Sequence, residues 1–307
     1  MPTTTRPTQL TKSKTYLQPG VAQTPSPVPC TSAVRATCST SPFPNPTSTF
    51  TPQPTRNKIM ANIPKSCNEL KLNWIRDNYE SELAEAARKN RTTQDLLERL
   101  LAGESEARQA RSTERRLRSA HLPGVHTLDT FDWSWPKKMN ADHIRHVAGL
   151  SFLSSQKNVV FIGTVGLGKT HLASAIGRIA CLRRHHVLFE SAASIINTLI
   201  EAQTRGNFRS VFRRYTRPHL LIIDELGYLP VDRIGGELLF QVFGERYEKA
   251  STIITTNRAY NEWAPTFAND AALTSAVLDR VTHHCETVII EGDSYRQKAR
   301  LDMNETM

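Results

Sequence analysis

Three observations predict an α/β fold with a parallel sheet covered on both faces. A G-x-x-x-x-G-K-T loop occupies residues 163–170, an apolar run at 220–223 ends in two adjacent carboxylates, and five short apolar runs alternate with helix-like segments. Those runs, at 158–162, 186–190, 219–224, 251–256 and 287–290, are spaced as the strands of successive βα units. The expectation is a three-layer core built around a phosphate loop, preceded by a small all-helical segment and a disordered leader.

The leader spans residues 1–59. It contains no Asp or Glu, carries six of the chain's ten net positive charges and holds 11 of its 17 prolines. Such a segment, dense also in Thr and Ser, cannot bury enough apolar surface to offset the entropy of ordering. Ordinary composition begins at Met60, which suggests an internal translation start, with an organellar transit peptide as the rival explanation.

Residues 60–121 form the predicted helical segment. Leu70, Ile75, Tyr79 and Leu83 recur at helical steps, and Thr92 precedes Asp95 at the spacing of a capping box. Its last helix bears Arg108, Arg111, Arg115, Arg116 and Arg118 among Glu104, Glu106 and Glu114. Mixed signs fit a solvated face, and a nucleic-acid surface stays open as the alternative. Residues 122–157 follow as a connector and helix. Leu122-Pro123-Gly124 breaks the chain, and Phe131, Trp133 and Trp135 lie just before the core. These rings either close over a purine base or plug the join between segments; the residues fit both.

The core is assigned to 158–307. In the loop, Gly163, Thr164, Val165, Gly166, Leu167 and Gly168 would turn backbone N–H groups around a polyphosphate. Lys169 would add a mobile cation and Thr170 a hydroxyl for Mg²⁺. Asp224, at the carboxyl edge of its strand, is the expected second Mg²⁺ residue, and Glu225 the expected base for an attacking water. Asn257, at the end of another strand, is placed to sense a terminal phosphate. ATP and Mg²⁺ are the implied cofactors. Arg205, Arg209, Arg213, Arg214 and Arg217 form a basic run with no interspersed acid. On a helix, Arg205, Arg209 and Arg213 would share a face and neutralise successive phosphates of double-stranded DNA without reading bases, with Gly206-Asn207 as a point of interruption in the early turn; a solvated or subunit-facing surface fits equally.

Composition excludes other classes. No stretch reaches the roughly 18 apolar residues of a membrane span, and five scattered cysteines without a C-x-x-C suit a reducing cytoplasm rather than a disulfide framework or zinc site. The pairs His185-His186 and His283-His284 are adjacent, so on a helix or strand their side chains diverge, which argues against metal binding.

Taken together, the segments at 163–170, 221–230, 237–241, 251–258, 278–280 and 292–296 resemble the IstB family over about residues 68–300. These are AAA+ ATPases encoded beside bacterial transposases, related to the DnaC and DnaI helicase loaders. The resemblance implies an ATPase that assembles into an oligomer, binds DNA non-specifically and recruits a cognate transposase. It also implies that Arg280 is an arginine finger acting on a neighbouring subunit and Arg296 a second sensor. Thr164, Val165 and Leu167 depart from the family's usual loop interior. A replicative helicase loader and a non-hydrolysing nucleotide-gated adaptor are the alternative functions.

Overall fold

The computed structural model describes residues 56–295, Lys137 excepted, with side chains from Asn62 onward. The leader up to residue 55 and Arg296 lie outside the described residues. Helix α1 (Arg56–Glu69) begins inside the stretch expected to lack structure, in the proline-free interval after Pro54. It is followed by α2 (Asn73–Arg88) and α3 (Thr93–Ser119).

Thr92 caps α3 as its spacing predicts: its hydroxyl accepts from Asp95 N, and Asp95 Oδ2 accepts from Thr92 N, both at 3.1 Å. The start of α2 has no such local device, because its N-cap residue is Leu72. The cap comes from across the fold instead. Glu104 of α3, 3% exposed, accepts from Trp74 N at 2.8 Å and Ile75 N at 3.2 Å, and places its charge at the positive end of α2. Arg108 and Arg111 each reach Glu104 Oε1 at 3.0 Å. Desolvation pushes the Glu104 carboxyl upward, but these backbone and guanidinium donors together hold it below its ordinary range. Arg116 donates to Cys181 O at 3.0 Å and fastens the end of α3 to the core. Three arginines of the basic helix are thus structural.

The core follows the predicted alternation. After a two-residue strand β1 (Lys138–Met139) come α4 (Ala141–Ala148), α5 (Ser151–Ser154), β2 (Asn158–Ile162), α6 (Lys169–Leu182), β3 (Val187–Ser191) and α7 (Ala192–Thr204). Then come α8 (Phe208–Thr216), β4 (Leu220–Leu226), α9 (Arg233–Arg246), β5 (Ser251–Thr256), α10 (Ala271–Thr282) and β6 (Cys285–Glu291). The sheet order is β1-β6-β2-β5-β4-β3. All neighbours are parallel except β1, which adds an antiparallel edge that the sequence pattern did not suggest. Period-two alternation divides the continuous apolar strands between two cores. Leu220 and Ile222 join Leu172 and Ile176 of α6 on one face, while Leu221 and Ile223 join Leu199, Leu239 and Val277 on the other. No helix among the described residues is long and apolar enough to cross a membrane.

Central strand β5 is buried along its whole length although four of its six residues are Ser or Thr. Each hydroxyl has a different partner. Ser251 Oγ donates to Phe152 O at 3.2 Å, Thr252 Oγ1 accepts from Arg246 Nε at 3.1 Å, Thr255 Oγ1 donates to Asp224, and Thr256 Oγ1 accepts from Arg258 N at 3.1 Å. Arg246 itself is 2% exposed and has no carboxylate partner among the described residues. Its guanidinium donates to Tyr215 O at 3.0 Å, Pro218 O at 2.9 Å and Ser251 O, so carbonyls leaving the end of α8 solvate the charge. Burial draws its pKa down to about 9, still high enough to keep it cationic at neutral pH.

Candidate nucleotide site

The phosphate loop joins β2 to α6 across the middle of the sheet. Two of its glycines sit in the left-handed region, Gly166 at φ +85° and Gly168 at φ +79°. Neither has room for a side chain: a Cβ on Gly168 would lie 2.6 Å from the Phe131 ring, and one on Gly166 would lie 2.1 Å from Ser294 Oγ. The unusual loop residues divide by direction. Leu167 is buried beneath the loop and Val165 faces outward at 51% exposure, so neither side chain replaces a backbone donor. Lys169 Nζ donates to Thr164 O at 2.7 Å.

Strand β5 separates the loop strand β2 from the acidic strand β4, yet Thr170 spans that distance. Its hydroxyl lies 2.9 and 3.1 Å from the two oxygens of Asp224, a residue only 7% exposed. The next residue is turned elsewhere. Between Ile223 and Leu226 the pairing of β4 with β5 shifts register, and Glu225 takes φ +58° while its N–H donates to Thr255 Oγ1 at 3.0 Å. In a regular strand, adjacent side chains would point to opposite faces of the sheet. The bulge instead leaves Asp224 buried and Glu225 exposed at the same carboxyl edge.

Gly166, Gly168, Lys169, Thr170, Glu225, Thr255 and Asn257 line one cavity of about 370 Å³. The connector forms its opposite wall through His126, Thr130, Phe131 and Trp135. Both readings of the aromatic segment therefore describe part of it. Phe131 packs into the core below Gly168 while its ring also borders the cavity, Trp135 lines the cavity, and Trp133, away from it, is pinned by Leu128 O at 3.0 Å. His126 stacks on His171 at 4.5 Å, and burial, then the neighbouring imidazole, hold it below its usual pKa.

A strap after β6 closes the loop from behind. Tyr295 N donates to Gly166 O at 3.0 Å, and Trp135 Nε1 donates to Asp293 O at 2.9 Å. The structure thus brings together Thr164–Thr170, Asp224, Glu225, Asn257 and, of the connector's aromatic rings, Trp135, and adds Thr255, Ser294 and Tyr295. Consecutive threonines at the carboxyl end of a buried strand were the available signal for Thr255.

Arg280 is not in this cavity. It sits in the last turn of α10 with its guanidinium 3.8 Å from the centre of the Phe240 ring. The basic run also departs from expectation. Gly206, at φ +71°, ends α7, so Arg205 belongs to a different helix from the others and pairs with Glu201 at 3.2 Å. Arg214 pairs with Glu190 at 3.1 Å. Arg209, Arg213 and Arg217 follow one another at four-residue intervals along α8 and its C-cap, opposite the inward Phe208, Val211 and Phe212, and make no ion pair among the described residues.

The donor set suits a magnesium nucleotide. A hydroxyl and a buried carboxylate are hard oxygen ligands, and the two tight glycines leave backbone, rather than side chain, facing the cavity. Comparison with known proteins agrees: a family described as IstB-like ATP binding protein matches residues 65–303. The chain is 37% identical over 233 residues to the ATP-binding protein of insertion sequence IS21 from Pseudomonas aeruginosa, covering 76% of this chain and 88% of that one. It is 35% identical to that of IS5376 from Geobacillus stearothermophilus, covering 78% and 94%. With that of IS232 from Bacillus thuringiensis subsp. berliner it shares 38%, covering 66% and 81%.

Proposed function

The chain belongs to the IstB-like ATP-binding protein family, and from that premise we propose that it is an ATP-hydrolysing, DNA-binding helper of transposition. ATP would control its self-assembly on duplex DNA, and the assembled oligomer would recruit or activate its cognate transposase. The observation that carries this reading is the convergence of the phosphate loop, the Thr170–Asp224 pair, Glu225 and Asn257 on one cavity.

Bound Mg²⁺-ATP would supply the phosphoanhydride to be cleaved and the divalent charge that polarises it. Loop N–H groups and Lys169 bind the phosphates, and Thr170 with Asp224 holds the metal directly or through water. Glu225, raised out of the sheet by the bulge, orients the attacking water and takes its proton. Asn257 positions the same water or the terminal phosphate. Arg280 lies outside its own cavity and acts on that of a neighbouring subunit, so turnover requires assembly. Arg296 keeps the second-sensor role that its resemblance implies. DNA contact falls to Arg209, Arg213 and Arg217, an arrangement suited to backbone phosphates rather than base edges.

The test is ATP hydrolysis with and without duplex DNA, using the wild type, Lys169→Ala and Arg280→Ala. DNA-stimulated turnover that is lost in each variant and partly recovered when the two are mixed is the expected result. Turnover by Arg280→Ala alone at the wild-type rate would overturn the finger assignment. ATP binding without turnover under every condition would favour the nucleotide-gated adaptor, and copurification with a replicative helicase rather than a transposase would favour the loader.

A further inference from the structure

Two histidines whose adjacency argues against a shared ligand are brought together by the fold. His283, the C-cap of α10, and His284 occupy the two-residue passage between the end of α10 at Thr282 and the start of β6 at Cys285, where the chain leaves the helix and its regular period no longer sets them apart. Their ring centres are 4.1 Å apart. Glu248, just past α9 and held at φ +56°, brings its carboxylate to the same place, with Oε1 3.5 Å from His284 Nε2. One donor atom from each of the three residues lies within 4.8 Å of the other two.

We propose that Glu248, His283 and His284 form a surface site for a divalent transition metal, with Zn²⁺ the ion that fits best. Two imidazoles and one carboxylate favour zinc over magnesium or calcium, which take oxygen donors, so this site is chemically separate from the Thr170–Asp224 pair. Tetrahedral donors about 2.0–2.1 Å from zinc stand roughly 3.3 Å apart. Small rotations of three solvent-exposed side chains reach that spacing. A supporting contact is already in place. Tyr247 Oη lies 2.7 Å from His283 Nδ1, and when that nitrogen donates to the phenol, Nε2 is left with its lone pair for a metal. Three protein ligands leave a fourth position open to water or to a donor from another molecule. A bound ion would tie the ends of α9 and α10 together. The proposal does not depend on the ATPase reading.

Titration of the full-length protein with Zn²⁺, followed by native mass spectrometry and calorimetry, tests the site; Co²⁺ gives an optical readout of its geometry. The expected result is a Zn²⁺ equivalent that disappears in His283→Ala and in His284→Ala, and a tetrahedral Co²⁺ spectrum lost in the same variants. Tyr247→Phe should weaken that equivalent about tenfold, the effect of removing a group that orients a ligand. Glu248→Gln, which preserves shape and removes the charge, also weakens it and decides the matter should a histidine variant fail to fold. Absence of binding, or binding unchanged in these variants and lost instead in His219→Ala within the separate His185, His186 and His219 group, overturns the proposal.

Discussion

Glu225 and Asp224 differ in environment far more than in position. The bulge separates them, so their substitutions should separate as well. Glu225→Gln is expected to leave ATP binding intact and lower turnover by about 100-fold or more, measured by filter binding and by phosphate release. Asp224→Asn is expected to weaken Mg²⁺-dependent binding itself, because the carboxylate partners Thr170 directly. Glu104 provides the pH-dependent case. Its carboxyl is held below the ordinary range in the folded chain, so its stabilisation is present above the unfolded carboxyl's pKa and is lost as pH falls through the lower, folded value. Fluorescence of Trp74, whose N–H it accepts, should report loosening of the helical segment below about pH 4, the ordinary carboxyl range. Glu104→Ala should remove about 1–2 kcal/mol at neutral pH, measured by denaturant unfolding, since it leaves the first backbone donors of α2 without their acceptor while the half-exposed Arg108 and Arg111 turn to water.

At the scale of elements, α8 presents its arginines because Arg246 holds its C-terminal end. Replacing Arg209, Arg213 and Arg217 together with Ala should reduce the slope of log K against log salt for duplex DNA by about 3, one for each phosphate that is no longer neutralised. Arg214→Ala should change that slope much less, because Arg214 already pairs with Glu190. Elements whose cause is local were legible in the sequence: the Thr92 cap, the strand–loop–helix around 163–170 and the apolar run before Asp224. Those fixed by distant partners were not. Leu72 gave no hint that α2 would be capped by Glu104, 30 residues away from Trp74. The register shift at Glu225 depends on pairing with β5. Gly206 was visible as an interruption, but its consequence for Arg205 appears only where α7 and α8 diverge. His283 and His284, expected to diverge, lie side by side for a related reason, since periodicity arguments do not reach a passage between elements.

For the molecule as a whole, the nucleotide cavity is assembled from chain segments far apart in sequence, 158 residues where Trp135 meets Asp293 and 129 where Tyr295 meets Gly166. Trp135→Phe keeps an aromatic side chain, though a smaller one, and removes the indole donor, so it should lower nucleotide affinity a few-fold without a comparable loss of stability, a difference that calorimetry and thermal unfolding can separate. The position of β5 has a consequence in time. Flanked on both sides and anchored through four hydroxyls, its amides have no edge from which to open, and their protons should exchange with solvent only when the entire sheet unfolds. Asn257, one residue beyond, is exposed. The slowest and some of the fastest exchange in the protein should therefore lie a single peptide bond apart, with a side chain free to reorient on nearly immobile ground.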